Sequence, residues 1–381
     1  MLLNGGCNHQ APDTEQPVAA IKIPGQPAPA PHSIQEPPPD STDVSVRRLY
    51  TAEAVDTLIY LADKPYRLTV AVEADSARRL TYDPPTDDTL IAGVDARCIF
   101  RLVDAQRREV FRREIRKAAL EHLGDKEAVV TGFPTVYYAG FSAARQEFLF
   151  QLSLIVPDTD VGSDYVVRLS RNGNVLGLAY AFPQGGDTPD CAVQFSPDGR
   201  AILTCEQLLA PGKSAPVLLK KPTASLVAAH FLSDSTLFTL YEYGTLQVQK
   251  DPDGLKELTR VVPARLRNQP NAFVLNLKGE KLAQFPYKGF YEELSYVVPR
   301  CYVWQNQTYY LLDETRGLRL LNKRIPGKTQ EVKFKAMTTF KAPQRPQEVR
   351  FRISTSAAEF EFYADKAQPE KLRYRRVATA G

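Results

Sequence analysis

The fold is decided by the stretch Cys191-Ala-Val-Gln-Phe-Ser-Pro-Asp-Gly-Arg-Ala-Ile-Leu-Thr-Cys205. Pro197 and Asp198 suit a type I turn, and Gly199 suits the left-handed position that closes a three-residue hairpin loop. In the register set by that loop, Cys191 faces Cys205, and six apolar residues share one face of the hairpin. These six are Cys191, Val193, Phe195, Ala201, Leu203 and Cys205. The stretch therefore predicts a hairpin with one wholly apolar face.

Two later segments repeat this hairpin. Residues 228–240 overlay 192–204 without a gap, which places Phe231 36 residues after Phe195. A more divergent copy spans 301–312. Short strands that recur with a period of roughly 35 to 50 residues are typical of β-propellers and related arrays.

The run Phe195-Ser-Pro-Asp-Gly-Arg200, followed by an apolar strand, resembles the blade motif of TolB-like and WD-type β-propellers. The motif is short, its second copy lacks the Pro and the Gly, and no Trp-Asp dipeptide occurs in the chain. The resemblance implies a propeller-like array of antiparallel sheets. Two similar hairpins in an ordinary β-sandwich are the alternative.

Strand patterns also dominate the region from residue 43 to 163, where a continuous apolar run predicts a buried strand at 148–155. The exception is 114–123, where apolar residues recur at helical spacing and Gly124 is placed as a C-cap. We expect a mostly β protein. A β-rich (α+β) domain with one helix at 43–163 is followed by a propeller-like or other repeated antiparallel β-sheet domain at 164–381.

Residues 1–10 resemble the end of a bacterial lipoprotein signal, in which small residues precede a cysteine that receives the lipid. The anchor would be Cys7, but Leu3 stands one position too far from it, and six residues are too few for a complete signal. Residues 11–42 are rich in proline and poor in large apolar residues, which predicts a disordered, extended spacer. Together these features favour a lipid-tethered envelope protein over an incidental cysteine in a disordered tail.

Composition narrows the class of protein further. The hydrophobic content of 43% and the charged content of 24% are ordinary for a globular protein. The net charge of +4 is spread along the chain and does not indicate a nucleic-acid partner. No apolar run approaches the length of a membrane-spanning helix, so membrane contact is expected through the lipid alone.

One acidic segment is a candidate metal site. Asp158, Asp160 and Asp164 fall at alternate positions around a glycine, and carboxylate oxygens on a tight turn could hold a structural Ca²⁺. The distant glutamate of an EF-hand loop is missing, so a polar turn is the alternative. No other cofactor is predicted.

The cysteines leave two states open. Apart from Cys7, only Cys191 and Cys205 have a register that brings them within disulfide reach. An envelope compartment would permit their oxidation. Because bridges between paired strands strain a sheet, we expect buried thiols, with a disulfide as the alternative.

Two groups of residues are candidates for binding a partner. An aromatic-rich block could present rings that stack on sugars, or could pack the core between sheets. Its candidates are Tyr287, Tyr291, Tyr302 and Trp304. Near the carboxyl end, arginines alternate with apolar residues, so neighbouring strands would merge into a basic stripe that attracts a phosphate-bearing glycolipid or another polyanion. The stripe contains Arg350, Arg352, Arg373 and Arg375. Charged edge strands that block aggregation are the alternative.

Motifs for catalysis are missing from the sequence. The four histidines are not at metal-ligand spacing, and there is no nucleophile elbow, phosphate loop or dinucleotide fingerprint. The sequence favours a non-enzymatic, lipid-anchored binding or scaffold protein of the cell envelope, with a glycan or a protein as partner. A carbohydrate-active hydrolase on a β-propeller and a soluble cytoplasmic scaffold are the alternatives.

Overall fold

The fold is mostly β, as predicted, with 29 strands and one α-helix in the described part of the chain. The computed structural model describes residues 55–83, 90–156, 159, 162–184, 188–213, 215–250, 256–292, 295–313, 315–339, 344–355 and 358–377. The predicted anchor Cys7 and the proline-rich spacer 11–42 lie outside these ranges.

Six main sheets, numbered in chain order, each contain four consecutive antiparallel strands or a close variant of that arrangement. The first sheet contains β1 (Val55–Leu61), β2 (Lys64–Tyr82), β3 (Ile91–Asp104) and β4 (Glu109–Arg116). The second contains β5 (Phe133–Ser142), β6 (Glu147–Ile155), β7 (Gly162–Ser170) and β8 (Val175–Gln184). The predicted division between residues 163 and 164 falls within β7.

The third and fourth sheets follow, and the fourth gains one strand from earlier in the chain. The third contains β10 (Gln194–Phe195), β11 (Ile202–Leu203), β12 (Gln207–Leu209) and β13 (Val217–Leu218). The fourth contains β14 (Ala224–Phe231), β15 (Thr236–Tyr243), β18 (Ala272–Asn276) and β19 (Lys281–Phe285), with β9 (Asp190–Cys191) parallel to β14 at its edge. Two small hairpins stand apart: β16 (Thr245–Lys250) with β17 (Lys256–Val261), and β20 (Phe290–Glu292) with β21 (Ser295–Val297).

The last two sheets complete the array. The fifth contains β22 (Arg300–Val303), β23 (Thr308–Asp313), β24 (Gly317–Asn322) and β25 (Thr329–Lys333). The sixth contains β27 (Glu348–Ser354), β28 (Glu359–Asp365) and β29 (Leu372–Val377), with β26 (Thr338–Thr339) parallel to β29 at its edge.

Five apolar clusters join these sheets in chain order, each cluster lying between one sheet and the next. Phe148 packs with residues of the first sheet, whereas its neighbour Leu149 packs with residues of the third. In the same way, Ile202 belongs to the cluster with the second sheet and Leu203 to the cluster with the fourth. Successive residues of a strand point to opposite faces. The inner sheets are therefore buried on both faces, which explains the continuous apolar runs in the sequence.

The two end sheets have charged outer faces. On the first sheet, Arg67 is paired with Asp56 and both side chains are about half exposed or more. On the sixth, Arg350 and Arg352 lie on the face turned away from the fifth sheet. None of the five apolar clusters, within the described ranges, joins the sixth sheet to the first. The five clusters therefore join the described sheets one after another, and the outer faces of the first and sixth sheets are charged.

The helix prediction was wrong in position. Glu114 and Ile115 belong to β4, which is followed by a 3-10 turn at Lys117–Leu120. The α-helix, α1, is Lys126–Thr131, and Asp125 caps it by accepting a hydrogen bond from the Glu127 backbone. Pairing of β4 with β3 overrides the helical spacing of its apolar residues.

The hairpin at 191–205 forms, but the predicted register was wrong by one residue. Phe195 pairs with Ile202, and the backbone N–H of Ser196 donates to the carbonyl of Ala201. The loop thus contains four residues instead of three. Asp198 stabilises the longer loop by accepting hydrogen bonds from the Ser196 hydroxyl and from the Arg200 backbone. Because of the shift, Ala201 and Leu203 lie on the opposite face from Val193 and Phe195, and both faces are buried, so the hairpin has no single apolar face.

The three repeated segments occupy equivalent places. The pair β10–β11 begins the third sheet, β14–β15 begins the fourth and β22–β23 begins the fifth. The overlay without a gap fails in the loops. Since Phe195 pairs with Ile202, the overlay would place Phe231 opposite Phe238, but Phe231 pairs with Leu237, one residue earlier. The repeat seen in the sequence is therefore a repeat of sheets.

The expectation of buried thiols was also wrong, because Cys191 and Cys205 form a disulfide with a Cα–Cα distance of 5.8 Å. The two cysteines are not paired across the hairpin. Cys191 lies in β9 beside β14 of the fourth sheet, and Cys205 follows β11 of the third. The bond therefore connects two sheets, and the objection to a bridge between directly paired strands does not apply.

Gly199 gives a test of the packing between the second and third sheets. Its φ is +73°, and a Cβ there would lie 2.8 Å from Ser142 Oγ, which donates a hydrogen bond to the Gly199 carbonyl. We predict that Gly199→Ala lowers the free energy of unfolding by about 2 kcal/mol, through left-handed strain and loss of this contact.

Gly212→Ala is the matched control. Gly212 has a φ of +71°, but nothing lies within 4 Å of the added Cβ. This variant should lose only the strain contribution, about 1 kcal/mol, in urea unfolding followed by circular dichroism. Equal losses in the two variants would show that the contact with Ser142 contributes nothing.

Candidate functional site

Most of the aromatic block belongs to the core. Tyr287 is buried, and its hydroxyl donates to the carbonyl of Leu312 at 2.7 Å. Tyr310 is fully buried against Phe351, with ring centroids 4.5 Å apart. The side chain of Tyr291 lies outside the described residues. Of the four candidate aromatic residues, Tyr302 and Trp304 are therefore the ones placed at the surface.

Tyr302, Trp304 and Tyr309 lie on the first hairpin of the fifth sheet, and we call these three residues the aromatic patch. Tyr302 and Tyr309 are directly opposed on β22 and β23, and their ring centroids are 4.5 Å apart. Trp304 follows β22 at the turn and exposes 57% of its surface. It is the single tryptophan of the chain. A large ring this exposed, two residues along the chain from one member of a pair of packed rings, is typical of a binding surface.

The turn that carries Trp304 is held in place by hydrogen bonds from both of its ends. The Gln307 side chain donates to the Trp304 carbonyl at 2.6 Å and accepts from the Tyr302 hydroxyl at 2.9 Å. Asn306 donates to the Tyr310 hydroxyl at 2.8 Å and is buried. The backbone beneath Trp304 is therefore fixed before any partner arrives, which reduces the entropy lost on binding.

The arginine stripe predicted from the sequence has a second component, which is acidic. Arg350 and Arg352 on β27 and Arg375 on β29 flank Glu361 on the central strand β28. The three arginine side chains are 43%, 50% and 52% exposed, whereas that of Glu361 is 0% exposed. We call these four residues the arginine face.

Glu361 holds the arginines of this face in place. Its Oε1 accepts from Arg350 and, at 3.3 Å, from Arg352, and its Oε2 accepts from Arg375 at 2.6 Å. Burial acts to raise the pKa of Glu361, but the hydrogen bonds from Arg375 and Arg350 hold it below its ordinary value. Glu361 is therefore ionised at neutral pH.

Arg373, the fourth predicted arginine, has a different role. It is buried, donates to Glu348 Oε1 at 2.8 Å and stacks on the ring of Tyr363 at 5.0 Å. Sequence reasoning missed the glutamates that pair with these arginines. For Glu361 a signal was present, because the alternation Glu359-Phe-Glu361-Phe in β28 places acidic residues on the same face as the arginines. That alternation was the available signal.

The predicted calcium site lies largely outside the described residues, which do not include Asp158 or Asp160. Asp164 is buried in β7 and accepts a hydrogen bond from the hydroxyl of Ser153 on β6. No group of three potential metal ligands occurs in the part of the chain that the structure describes. The calcium site stays a prediction.

A partly buried polar cluster that the sequence did not indicate links three separate strands. Asp190 on β9 accepts from Arg300 on β22 at 2.7 Å, and Arg300 Nη2 lies 3.1 Å from His230 Nδ1 on β14. His230 Nε2 lies 3.3 Å from Asp190 Oδ1. Because a guanidinium can only donate, Nδ1 accepts and carries no proton. The ring is therefore neutral, and both of its nitrogens face groups of the cluster, so it is not available as a catalytic base.

The neutral state of His230 predicts a dependence of stability on pH. Burial and the nearby charge of Arg300 lower the pKa of His230 from its ordinary value. The unfolded chain binds a proton near pH 6.5 and the folded chain does so only at lower pH, so acid favours unfolding. We expect the free energy of unfolding to fall between pH 7 and pH 5, by at most about 2 kcal/mol for a histidine that stays neutral in the folded chain.

The measurement compares urea unfolding of the wild type, His230→Gln and His122→Asn at both pH values. Glutamine keeps a donor and an acceptor but does not titrate, so it should remove most of the pH dependence. His122 is exposed, and its replacement should leave the dependence unchanged. If the free energy of unfolding of His230→Gln changed between the two pH values as much as that of the wild type, the assignment of a neutral His230 would be contradicted.

Comparisons with known proteins give weak similarities only. No family model matches the sequence, and no curated protein matches it. Among solved structures, Sqt1 from Chaetomium thermophilum has a TM-score of 0.33 at 11% identity, covering 86% of this chain and 80% of that chain. Apo AztD from Citrobacter koseri has a TM-score of 0.27 at 10% identity, covering 86% and 90%. BamB from Moraxella catarrhalis has a TM-score of 0.20 at 11% identity, covering 87% and 98%. We draw no functional conclusion from these three proteins.

Within the described ranges, no helix is both long enough and apolar enough to cross a bilayer.

Proposed function

We propose that this chain is a non-enzymatic binding protein of the cell envelope, tethered through a lipid on Cys7, and that it holds a glycan at the aromatic patch of Tyr302, Trp304 and Tyr309. The observation that carries the proposal is the exposure of Trp304 on a turn that the Gln307 side chain fixes.

A glycan suits the aromatic patch better than an apolar ligand does. Sugar rings offer a flat face of C–H groups for the aromatic rings and hydroxyls for the polar groups around them. Gln307 and Lys323 stand beside the rings, with Lys323 Nζ 5.7 Å from the centroid of Tyr302. Flat rings with a few polar groups beside them can hold a sugar by stacking and by hydrogen bonds. A protein partner that inserts an apolar side chain is the alternative.

The disulfide between Cys191 and Cys205 supports the envelope location, because structural disulfides form and persist in oxidising compartments. It connects the third and fourth sheets, and it therefore belongs to the framework of the fold and not to an exposed redox site. A cytoplasmic scaffold would be expected to keep these cysteines reduced.

The glycan proposal has a direct optical test, because Trp304 is the only tryptophan. Titration with soluble oligosaccharides built on glucose, galactose or N-acetylglucosamine should change its fluorescence emission in a saturable way. Trp304→Ala should bind insoluble envelope polysaccharide at least about tenfold more weakly, as expected for a central aromatic anchor.

Tyr60→Ala is the matched control, since Tyr60 is a similarly exposed ring on the first sheet. It should bind polysaccharide like the wild type. The glycan proposal fails if Trp304→Ala and the wild type are retained equally, or if neither is retained.

The lipid anchor is tested separately in cells that express the gene with its native upstream sequence. An alkyne analogue of palmitate should label the wild-type protein, and Cys7→Ser should lose the label and leave the membrane fraction. The control, Cys98→Ala, replaces a buried cysteine of the first sheet and should keep the label. Labelling that survives Cys7→Ser, or a mature protein that retains Met1, would contradict the anchor.

A further inference from the structure

The arginine face holds three guanidinium groups close to two carboxylates. Arg350, Arg352 and Arg375 contact Glu361, and Arg352 also contacts Glu359 at 2.9 Å. Arg373 is not part of this group, because it is paired with Glu348 in the buried part of the same side of the sheet.

The donors of this face are only partly used. A guanidinium has five N–H donors, and Glu361 takes those at Nε and Nη2 of Arg350 through one carboxylate oxygen. Since Arg350 and Arg352 expose 43% and 50% of their side chains, donors that the glutamates do not take are open to solvent. An anion can therefore bind at this face without displacing Glu361.

The positions of the donors are fixed by the sheet. Neighbouring strands lie about 4.8 Å apart, so the side chains of β27 and β29 stand on either side of Glu361 with a separation of roughly 10 Å at the backbone. Glu361 draws both side chains inward from these positions. Long arginine side chains on a surface are normally mobile, and holding them costs side-chain entropy. Here the internal carboxylate has already fixed them.

We propose that the arginine face binds phosphate groups, carried either by a lipid headgroup or by a soluble phosphate-bearing polymer. The planar fork of arginine matches the tetrahedral oxygens of phosphate with two parallel hydrogen bonds, which a lysine cannot provide. A sheet with several such forks suits a ligand with repeated phosphates. This site is independent of the glycan proposal, because the arginine face is on the side of the sixth sheet turned away from the fifth sheet, which carries Trp304.

The experiment uses the full chain with two probes: inorganic polyphosphate in solution, and vesicles of phosphatidylcholine with or without phosphatidic acid. Binding is measured by calorimetry and by vesicle sedimentation, each at low and high salt. The wild type should bind phosphate-bearing probes, and more weakly at high salt. Arg350→Ala with Arg352→Ala should weaken binding at least about tenfold, the equivalent of two lost charge-assisted hydrogen bonds.

Two matched variants separate a built site from simple attraction by charge. Arg67→Ala with Arg101→Ala removes two half-exposed, ion-paired arginines from the outer face of the first sheet and should leave binding unchanged. Arg350→Lys with Arg352→Lys keeps the charge but removes the forks and should weaken binding nearly as much as alanine does.

The outcomes divide clearly. Binding to polyphosphate alone assigns a soluble polymer, binding to phosphatidic acid vesicles alone assigns a lipid headgroup, and either supports the site. Any of three results would overturn the proposed phosphate site. The first-sheet and sixth-sheet variants could lose binding equally, the lysine variant could bind like the wild type, or the wild type could bind dextran sulfate as tightly as the phosphate probes. Thermal unfolding of each variant confirms that the fold is kept, and oligosaccharide binding at Trp304 should be the same in all of them.

Discussion

The constraint on which the structure depends is that each inner sheet must be covered by apolar residues on both faces. A four-stranded sheet with one buried face has a polar side that water can solvate, but the second to fifth sheets have none. Each of them is stable only between two neighbours. The apolar clusters therefore set the order of the sheets, and the edges and turns that remain outside the clusters are the places where binding residues can stand.

The short strand β9 adds a second level of organisation. The chain leaves the second sheet and passes along the edge of the fourth before it builds the third. On this path Asp190 contacts Arg300 of the fifth sheet and His230 of the fourth, while Cys191 is bonded to Cys205 of the third. Two residues of chain, Asp190 and Cys191, thus connect three sheets through a parallel strand pair, an ion pair and a covalent bond. The connections between sheets are consequently not made by apolar packing alone.

Local signals predicted strands and turns well because each depends on a few adjacent residues. The hairpin around Gly199, the buried strand at 148–155 and the shared face of Arg350 and Arg352 all follow from turn chemistry or from a period of two. The register failed by one residue because Asp198 accepts hydrogen bonds inside the loop and makes it longer. Composition alone does not decide between a hairpin loop of three residues and one of four.

Features that depend on distant residues could not be predicted. The cluster of Asp190, His230 and Arg300 joins positions that are far apart in sequence. The burial of Tyr287 was also hidden, since the same ring serves a core and a binding surface equally well. For the disulfide, the residues were identified but their state was not, because Cys191 pairs with another sheet and not with its own hairpin.

The charged outer faces of the first and sixth sheets have a mechanical consequence. An inner sheet cannot open without breaking two of the described apolar interfaces. The first and the sixth sheets, whose outer faces carry exposed charged residues, each take part in one of these interfaces, so their loosening breaks fewer contacts, as at the ends of repeat proteins. Loosening can start at either extremity while the centre keeps its amide protection. The arginine face belongs to one extremity, and a ligand clamped there would suppress fraying from that side.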